Sequence, residues 1–214
     1  SSTCMAVARD QGYACYALSF HYGQKNKAEL EAARRVANHL GAQDHRIVDL
    51  HDIAQLSLSA LTDDNQSVSD YNGGKGLPST YVPARNTIFL SIAMGWAETL
   101  GAEAIFIGAC KEDEDNYPDC RPAFIESFKH LMVNASDASS SLQQCALITP
   151  LIALDKAETI QLGHALGVDY SLTVTCYRAD EEGRACGKCL SCAHRKAGFA
   201  RANVADETCY VDGA

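Results

Sequence analysis

Four cysteines near the end of the chain form the pattern with the clearest chemistry. Cys176, Cys186, Cys189 and Cys192 follow the spacing C-x9-C-x2-C-x2-C. Zn²⁺ prefers a tetrahedron of soft ligands, with thiolate sulfurs at about 2.3 Å. The short spacings let one tight turn direct successive sulfurs inward, and Gly187 gives that turn its backbone freedom. Because four thiolates leave no open coordination position, a metal held here would stabilise structure rather than activate water.

Two other interpretations of these cysteines stay open. An iron–sulfur cluster takes the same ligands but is disfavoured because the chain has no redox partner motif, and disulfides or free thiols are the third possibility. Cysteines elsewhere lie within apolar helix or strand patterns, where a free thiol behaves as a small hydrophobe; these are Cys4, Cys15, Cys110 and Cys145. Such usage indicates a reducing cytoplasm.

Length and charge limit the function. A chain of 214 residues can bury one substantial core. No apolar run reaches 18 residues, and Arg9 and Asp10 interrupt the first apolar stretch, so we expect neither a membrane span nor a signal peptide. The net charge of -9 repels phosphate backbones. We therefore expect small-molecule substrates rather than a nucleic acid or a membrane as partner.

Hydrophobic periodicity predicts an alternation of helices and strands. The predicted helices are Ser1–Arg9, Lys25–Leu40, Ile53–Leu61, Asn86–Leu100, Pro122–Val133, Asp155–Leu166 and Ser191–Ala202. The predicted strands are Tyr13–Phe20, His45–Leu50, Ala104–Ala109 and Cys145–Thr149. A long polar loop is expected over 62–80 and an acidic loop over 111–120. Asp155 and Glu158 have the spacing of a capping box.

This order predicts the α/β class, with a doubly wound, mostly parallel sheet over 1–170 and a metal lobe over 171–214 packed on it. The pattern begins with a helix, whereas such a domain normally begins with a strand that becomes central. Removing a central strand would leave a hole in the core, because parallel strands are covered on both faces. We therefore expect a strand and a tight phosphate-binding loop ahead of Ser1.

Several short segments together resemble one family. They are residues 20–24, 82–86, 117–121, 149–151, 155–158, 175–177 and 186–192. In this order they resemble the QueC family, the 7-cyano-7-deazaguanine synthases of the queuosine pathway, within the PP-loop ATP pyrophosphatases. The resemblance covers essentially the whole chain and implies a Rossmann-like fold of the adenine nucleotide alpha hydrolase type. Ser1 matches only the closing serine of that family's S-G-G-x-D-S loop, and the run 111–115 is more acidic than the family usually is.

The resemblance implies a ligase that converts a carboxylate to a nitrile. ATP with Mg²⁺ would adenylate 7-carboxy-7-deazaguanine, ammonia would displace AMP, and a second activation would remove the amide oxygen. It also implies one structural zinc per chain, a homodimer and a cytoplasmic location. The alternatives are a PP-loop relative that modifies a tRNA base, against which the acidic charge argues, and a non-catalytic, zinc-stabilised nucleotide-binding module.

The resemblance also assigns roles to individual residues. Nucleotide binding is expected of Ser1, Ser2, Phe20, His21, Tyr22, Gln24, Asn86 and Gly108. Substrate binding is expected of Tyr117, Asp119 and Arg121, and catalysis of Arg85 and Lys156. Structural alternatives are a helix cap for the two serines, a surface salt bridge for Arg85 and a turn-stabilising pair for Asp119 and Arg121. Lys156 opens a helix, where a cation opposes the dipole, which favours an anionic partner. No general base is identifiable.

Overall fold

The helices and strands follow the predicted alternation. The computed structural model describes residues 1–26, 28–57, 59–63, 65–73 and 77–213. Its α-helices are α1 (Ser2–Asp10), α2 (Ala28–His39), α3 (Arg85–Leu100), α4 (Lys111–Asn116), α5 (Pro122–Asn134), α6 (Lys156–Ala165) and α7 (Leu190–Ala202). Its strands are β1 (Tyr16–His21), β2 (Asp44–Asp49), β3 (Ala104–Phe106) and β4 (Ala146–Ile148). Short 3₁₀ turns occupy His51–Leu56, Pro118–Cys120, Ser141–Gln143 and Tyr170–Leu172.

The strands form two parallel pairs. β1 pairs with β2, with Tyr16 opposite Asp44 and His21 opposite Asp49. β3 pairs with β4, with Ala104 opposite Ala146. The expectation of an α/β fold with parallel strands is therefore confirmed. Within the part of the chain that the structure describes, no ladder joins β1 to β3, so the pairs remain two separate sheets.

A cavity of about 1370 Å³ lies between the two sheets. Residues of β1 and β3 line it from opposite sides, and α1, α2 and α3 contribute further walls. Much of this wall is apolar, as at Leu18, Val36, Leu90 and Ile105. Polar and charged side chains gather where β1 ends and the helices begin, which is the edge at which open α/β folds bind ligands.

The helices with strong local signals begin and end near their predicted bounds. α3, α5, α6 and α7 are examples. The capping box is confirmed: Glu158 N–H donates to Asp155 Oδ1 at 2.9 Å, and Asp155 N–H donates to Glu158 Oε2 at 2.8 Å. The cap satisfies two amides that α6 would otherwise leave without partners. No helix among the described residues has the length and apolar character that crossing a membrane requires.

The predicted helix Ile53–Leu61 is wrong. Only a 3₁₀ turn over His51–Leu56 forms there, and Leu58 lies outside the described residues. Serine hydroxyls take the place of helical carbonyls: Ser59 N–H donates to Ser57 Oγ, and Leu61 N–H donates to Ser59 Oγ, both at 3.2 Å. Such local bonds compete with the helix. The 62–80 and 25–40 segments likewise contain residues outside the described ranges, at 64, 74–76 and 27.

The acidic segment 111–120 is not a loop, as the sequence predicted, but α4 followed by a 3₁₀ turn. Asp113 accepts the Cys110 backbone N–H at 3.0 Å, which caps the helix. Glu112, Asp113 and Glu114 all lie in the first turn, where negative charge interacts favourably with the helix dipole. The charges that suggested a solvated loop instead stabilise a short helix.

The first and third strands are shorter than predicted. Tyr13 N–H donates to the Ala8 carbonyl at 3.1 Å, so the residues before Tyr16 complete the end of α1 instead of extending β1. β3 ends at Phe106, where the ring packs edge-on against Tyr13 at 5.1 Å between centroids. Beyond it the chain turns toward the N-terminus of α1.

Candidate functional site

The four cysteines converge at one point. Their sulfur atoms all lie within 4.8 Å of one another, and Cys186 Sγ is 4.0 Å from Cys192 Sγ. A tetrahedron with metal–sulfur bonds of 2.3 Å requires about 3.8 Å between sulfurs. Cys176, Cys189 and Cys192 are almost fully buried. The cluster therefore has the donors, the spacing and the seclusion to hold a metal ion.

Backbone amides fix the positions of these sulfurs. Cys186 N–H donates to Cys176 Sγ at 3.3 Å, and Cys189 N–H donates to Cys186 Sγ at 3.4 Å. α7 begins immediately after Cys189, which brings Cys192 into its first turn. The Arg178 guanidinium donates to Cys186 Sγ at 3.3 Å. Donors aimed at sulfur favour the thiolate form that a metal requires.

A second network ties α7 into the lobe. Arg195 is buried, and its guanidinium donates to Asp206 at 3.0 Å and to Thr173 Oγ1 at 2.8 Å. The pKa of Asp206 is lowered, since the hydrogen bonds from Tyr210 and Arg195 and the charge of Arg195 outweigh the burial of the carboxylate. This part of the basic cluster near the metal site is therefore structural.

The metal lobe packs directly on the end of β1. Tyr22 shares a buried cluster with Val82, Cys176 and Cys189. Phe20 stacks on Phe89 with centroids 3.9 Å apart at the edge of that cluster. The metal site and the cavity wall thus share one core.

The predicted nucleotide segment after β1 is held by its own glutamine. Gln24 Oε1 accepts the Tyr22 N–H at 2.8 Å, and Gln24 Nε2 donates to the Phe20 carbonyl at 2.9 Å. Phe20, Tyr22 and Gln24 line the cavity. His21 does not: its Nδ1 lies 3.4 Å from Asp49, and its ring stacks on His51 at 5.8 Å.

Arg85 directs its charge into the cavity. It is the first residue of α3 and follows Ala84, whose φ of 55° turns the chain sharply into the helix. The guanidinium carbon lies 5.8 Å from the centroid of the Tyr22 ring. Among the described residues no carboxylate forms an ion pair with this guanidinium, so it is available to an anionic ligand.

The segment 117–121 supports α3. Asp119 accepts the Asn86 N–H at 2.8 Å, and Asn86 Nδ2 donates to the Asp119 carbonyl at 3.1 Å. Tyr117 stacks on Tyr81 at 6.2 Å. The cavity is lined by Asn86 and Tyr117 but not by Asp119. Arg121 points to the surface, where its Nε donates to the Glu114 carbonyl at 3.2 Å.

Four further predicted residues line the cavity, namely Ser1, Ser2, Gly108 and Lys156. No side chain caps the N-terminus of α1, so its first amides are available. A side chain at Gly108 would come within 3.0 Å of the Ser1 nitrogen, so glycine permits this approach. Lys156 N–H donates to Glu112 Oε1 at 2.6 Å, and the stem of Lys156 packs on Gly198 of α7.

Sequence analysis assigned no site role to several polar residues of the lining, which include Asn26, Glu29, Glu112, Asp113 and His194. Burial, together with the charge of Lys156, lowers the pKa of His194. Glu29 resembled the solvated face of an amphipathic helix. Glu29 lies in the first turn of α2, the helix that follows β1. This position is the signal that could have identified it, because that turn lies at the ligand edge of the fold.

Comparison with known proteins agrees with this arrangement. The family model "Queuosine biosynthesis protein QueC" matches residues 1–203. The 7-cyano-7-deazaguanine synthase of Coxiella burnetii strain RSA 331 is 54% identical over 211 residues, covering 99% of this chain and 93% of the relative. The enzymes of the same name from Legionella pneumophila strain Philadelphia 1 and Ectopseudomonas mendocina are 55% and 53% identical, covering 98% of this chain and 92% and 93% of themselves.

The fold and the site define an α/β protein in which four cysteines that could bind a metal ion lie beside a charged cavity. The chain belongs to the QueC family.

Proposed function

We propose that this protein is an ATP-dependent ligase that converts 7-carboxy-7-deazaguanine and ammonia to 7-cyano-7-deazaguanine. The observation that carries the proposal is the meeting of phosphate-binding and carboxylate-binding groups at one cavity in a chain about 54% identical to enzymes of that name. The reaction needs both, because a carboxylate becomes electrophilic only after its oxygen is bonded to the α-phosphate of ATP.

The phosphates bind at the start of α1. Its uncapped amides, the Ser1 and Ser2 hydroxyls and the close approach at Gly108 form an anion site. Lys156, which also lines the cavity, adds a positive charge. Mg²⁺ bound to ATP supplies further neutralisation of phosphate charge. Adenine and ribose lie near Phe20, Tyr22 and Gln24.

Arg85 holds the substrate carboxylate. Its fork of donors suits a planar anion, and the aromatic ring of Tyr22 supports it from one side. Once the carboxylate oxygen has attacked the α-phosphate, pyrophosphate leaves and an acyl adenylate remains. The cavity must then exclude water, which would hydrolyse this intermediate. Tyr117 provides a further wall for the heterocycle.

The metal is zinc in this proposal. Four thiolates at tetrahedral spacing suit Zn²⁺ and leave it no open position, so its role is structural. The lobe over 171–214 then forms one unit with the nucleotide-binding part over 1–170, because both contribute to one buried cluster.

A single doubly wound sheet is the second structural part of the proposal. β1 and β3 face each other across a largely apolar cavity, and one parallel strand between them would join the two pairs. Such a strand would end beside Ser1, at the anion site. The cytoplasmic location, the homodimer and the absence of a nucleic acid partner stay predictions of the resemblance and of the net charge.

The test is a reaction with defined products. Full-length protein is incubated with ATP, Mg²⁺, ammonium chloride and 7-carboxy-7-deazaguanine, and the products are separated by liquid chromatography with mass detection. We expect AMP, pyrophosphate and a mass that matches the nitrile, each dependent on the carboxylate substrate. ADP as the only nucleotide product, or no turnover, would contradict the proposal.

A further inference from the structure

The segment 65–73 packs on the metal lobe without forming a helix or a strand. Val68 is its one buried residue, and it belongs to the cluster that contains Cys176, Cys189 and Cys192. Burial of a single valine does not offset the conformational entropy that a segment of this length loses when it becomes ordered. Polar contacts must therefore supply the rest of its attachment.

Arg178 supplies two of these contacts and also touches the metal site. Its Nη1 donates to the Val68 carbonyl at 2.8 Å, and its Nη2 forms an ion pair with Asp70. The third guanidinium nitrogen, Nε, donates to Cys186 Sγ at 3.3 Å. One planar fork of donors therefore holds both the segment 65–73 and a sulfur of the four-cysteine cluster.

A third contact reaches the other loop that carries cysteine ligands. Tyr71 N–H donates at 2.9 Å to the carbonyl of Lys188, which lies between two of the cysteines. The Tyr71 ring also meets the His194 ring edge-on, with centroids 5.8 Å apart. Among the described residues, the hydrogen bonds from 68–71 to other parts of the chain all go to these two ligand loops.

Cys186 is the most accessible of the four cysteines. The other three are at most 1% exposed, whereas Cys186 is only partly buried. Water or a competing chelator therefore reaches the cluster most readily at the sulfur of Cys186. Arg178 is in contact with this sulfur, and through Arg178 the segment 65–73 is fastened beside it.

The charge of Arg178 suits a thiolate site. Four thiolates around a divalent cation carry a net charge of about −2, which is costly to enclose without a compensating cation. The guanidinium of arginine is always charged, and its planar fork can bond several acceptors at once. Hydrogen-bond donors that orient a metal ligand from outside raise metal affinity, commonly by about 10- to 100-fold.

We propose that Arg178 is a positioning residue for the metal site: it orients the Cys186 sulfur and fastens the segment 65–73 beside it, so that the metal and the segment stabilise each other. This inference rests on the zinc of the proposed function and adds to it a residue that controls how tightly zinc is held. The coupling is reciprocal, because a docked segment that raises zinc affinity is itself docked more tightly when zinc is bound.

Arg184 offers a matched control within the same loop. It pairs with Asp180 at 2.7 Å and with Glu182 at 3.4 Å, both close to it in sequence. In the described part of the chain its guanidinium donates neither to a sulfur nor to the segment 65–73. Exposed ion pairs of this kind contribute little to stability.

The experiment measures zinc affinity and segment docking separately. Wild type, Arg178→Gln, Arg178→Lys, Asp70→Asn and the control Arg184→Gln are prepared as full-length, zinc-loaded proteins. Zinc affinity is measured by competition with a chromophoric chelator. Docking is measured at saturating zinc as hydrogen–deuterium exchange of peptides from 65–73, with peptides from α7 as the internal reference.

We expect Arg178→Gln to raise the Kd for zinc about 10- to 100-fold. Arg178→Lys should recover only part of this loss, because it keeps the charge without the fork. Asp70→Asn removes no contact to sulfur, so an increase of about two- to fivefold in the Kd reports the coupling through the segment. Exchange over 65–73 should rise in Arg178→Gln and Asp70→Asn, while exchange over α7 stays within about twofold of wild type. Arg184→Gln should match wild type throughout.

Two results would overturn the inference in either variant. They are a wild-type Kd for zinc, and an equal rise in exchange over 65–73 and α7, which would indicate general loosening of the lobe. If Arg178→Gln does not fold, Asp70→Asn, at an exposed residue, decides the question by the same two measurements. Wild type that binds no zinc would contradict the metal of the proposed function and this inference with it. Wild type that binds zinc with an affinity matched by both variants would overturn this inference alone.

Discussion

The metal lobe and the cavity differ in whether their charged groups have partners. In the lobe, the guanidinium of Arg195 has an acceptor on every side and the cysteine sulfurs receive backbone N–H groups. At the cavity, Arg85 has no carboxylate in contact among the described residues, and Asn26 Oδ1 has no donor. The lobe also contains one buried hydroxyl without a partner in the described part of the chain, Thr208 Oγ1, so the difference between the two regions lies in their arginines: Arg195 is paired with a carboxylate, whereas Arg85 is not.

This difference separates stability from function. Buried polar groups cost free energy unless they are paired, so a satisfied network holds a fold together and an unsatisfied one is retained for a ligand. Substitutions in the lobe should therefore affect the free energy of unfolding, and those at the cavity should affect catalysis.

The largest effect is expected from Cys189→Ser, which removes a fully buried ligand. Structural zinc contributes about 10–16 kcal/mol in small domains, so the variant should lose its metal and become unstable or insoluble. Cys209→Ser, at an exposed cysteine outside the cluster, is the control. Metal analysis and thermal unfolding measure both, with about one zinc per chain expected for wild type and control. A Cys189→Ser protein with unchanged metal content and unchanged Tm would contradict the expected difference between the two regions.

Arg85→Lys should have the opposite profile. The charge stays, but the planar fork is lost, so we expect kcat/KM to fall about 100-fold or more, which equals about 3 kcal/mol in transition-state binding. The Tm should change by no more than about 2 °C. Arg34→Lys, an exposed arginine paired with Glu31, is the matched control. If the Tm of Arg85→Lys falls as steeply as its activity, Arg85 belongs with the structural residues.

The smallest effect is a gain in stability from Glu29→Gln. Burial raises the pKa of Glu29 in the folded state, so the ionised carboxylate destabilises the fold. This cost is absent below the unfolded pKa of about 4.3 and grows as pH rises through the folded pKa. The variant should therefore melt at a higher temperature than wild type at pH 8 and at the same temperature at pH 4. Thermal scans at both pH values measure this, and a variant less stable at pH 8 would mean that the carboxylate is paired.

Local signals allowed much of the fold to be predicted. The Asp155 capping box and the apolar periodicity of α3 and α5 are encoded within a few residues, and the cysteine spacing alone indicated that the four sulfurs converge. Prediction failed where side chains compete with the backbone. Ser57 and Ser59 divert the amides of a segment that has helical periodicity, and Asp113 caps a helix in a segment that reads as a charged loop.

The candidate site was harder to predict, because burial there arises only from tertiary structure. Glu29 and Glu31 lie on one helix and are both exposed, yet only Glu29 lines the cavity, and nothing in their spacing separates the two. Asp119 and Arg121 show the reverse: their types suggest ligand binding, yet Asp119 caps α3 and Arg121 lies at the surface. Residue type indicates what a group can do, and only the packing decides what it faces.

One helix connects the two regions. α7 carries Cys192 in its first turn and, two turns later, presents Gly198 to the stem of Lys156. In the proposed zinc-bound protein, removing the ion would loosen the helix that supports this lysine, so a chelator would lower activity without competing with any substrate.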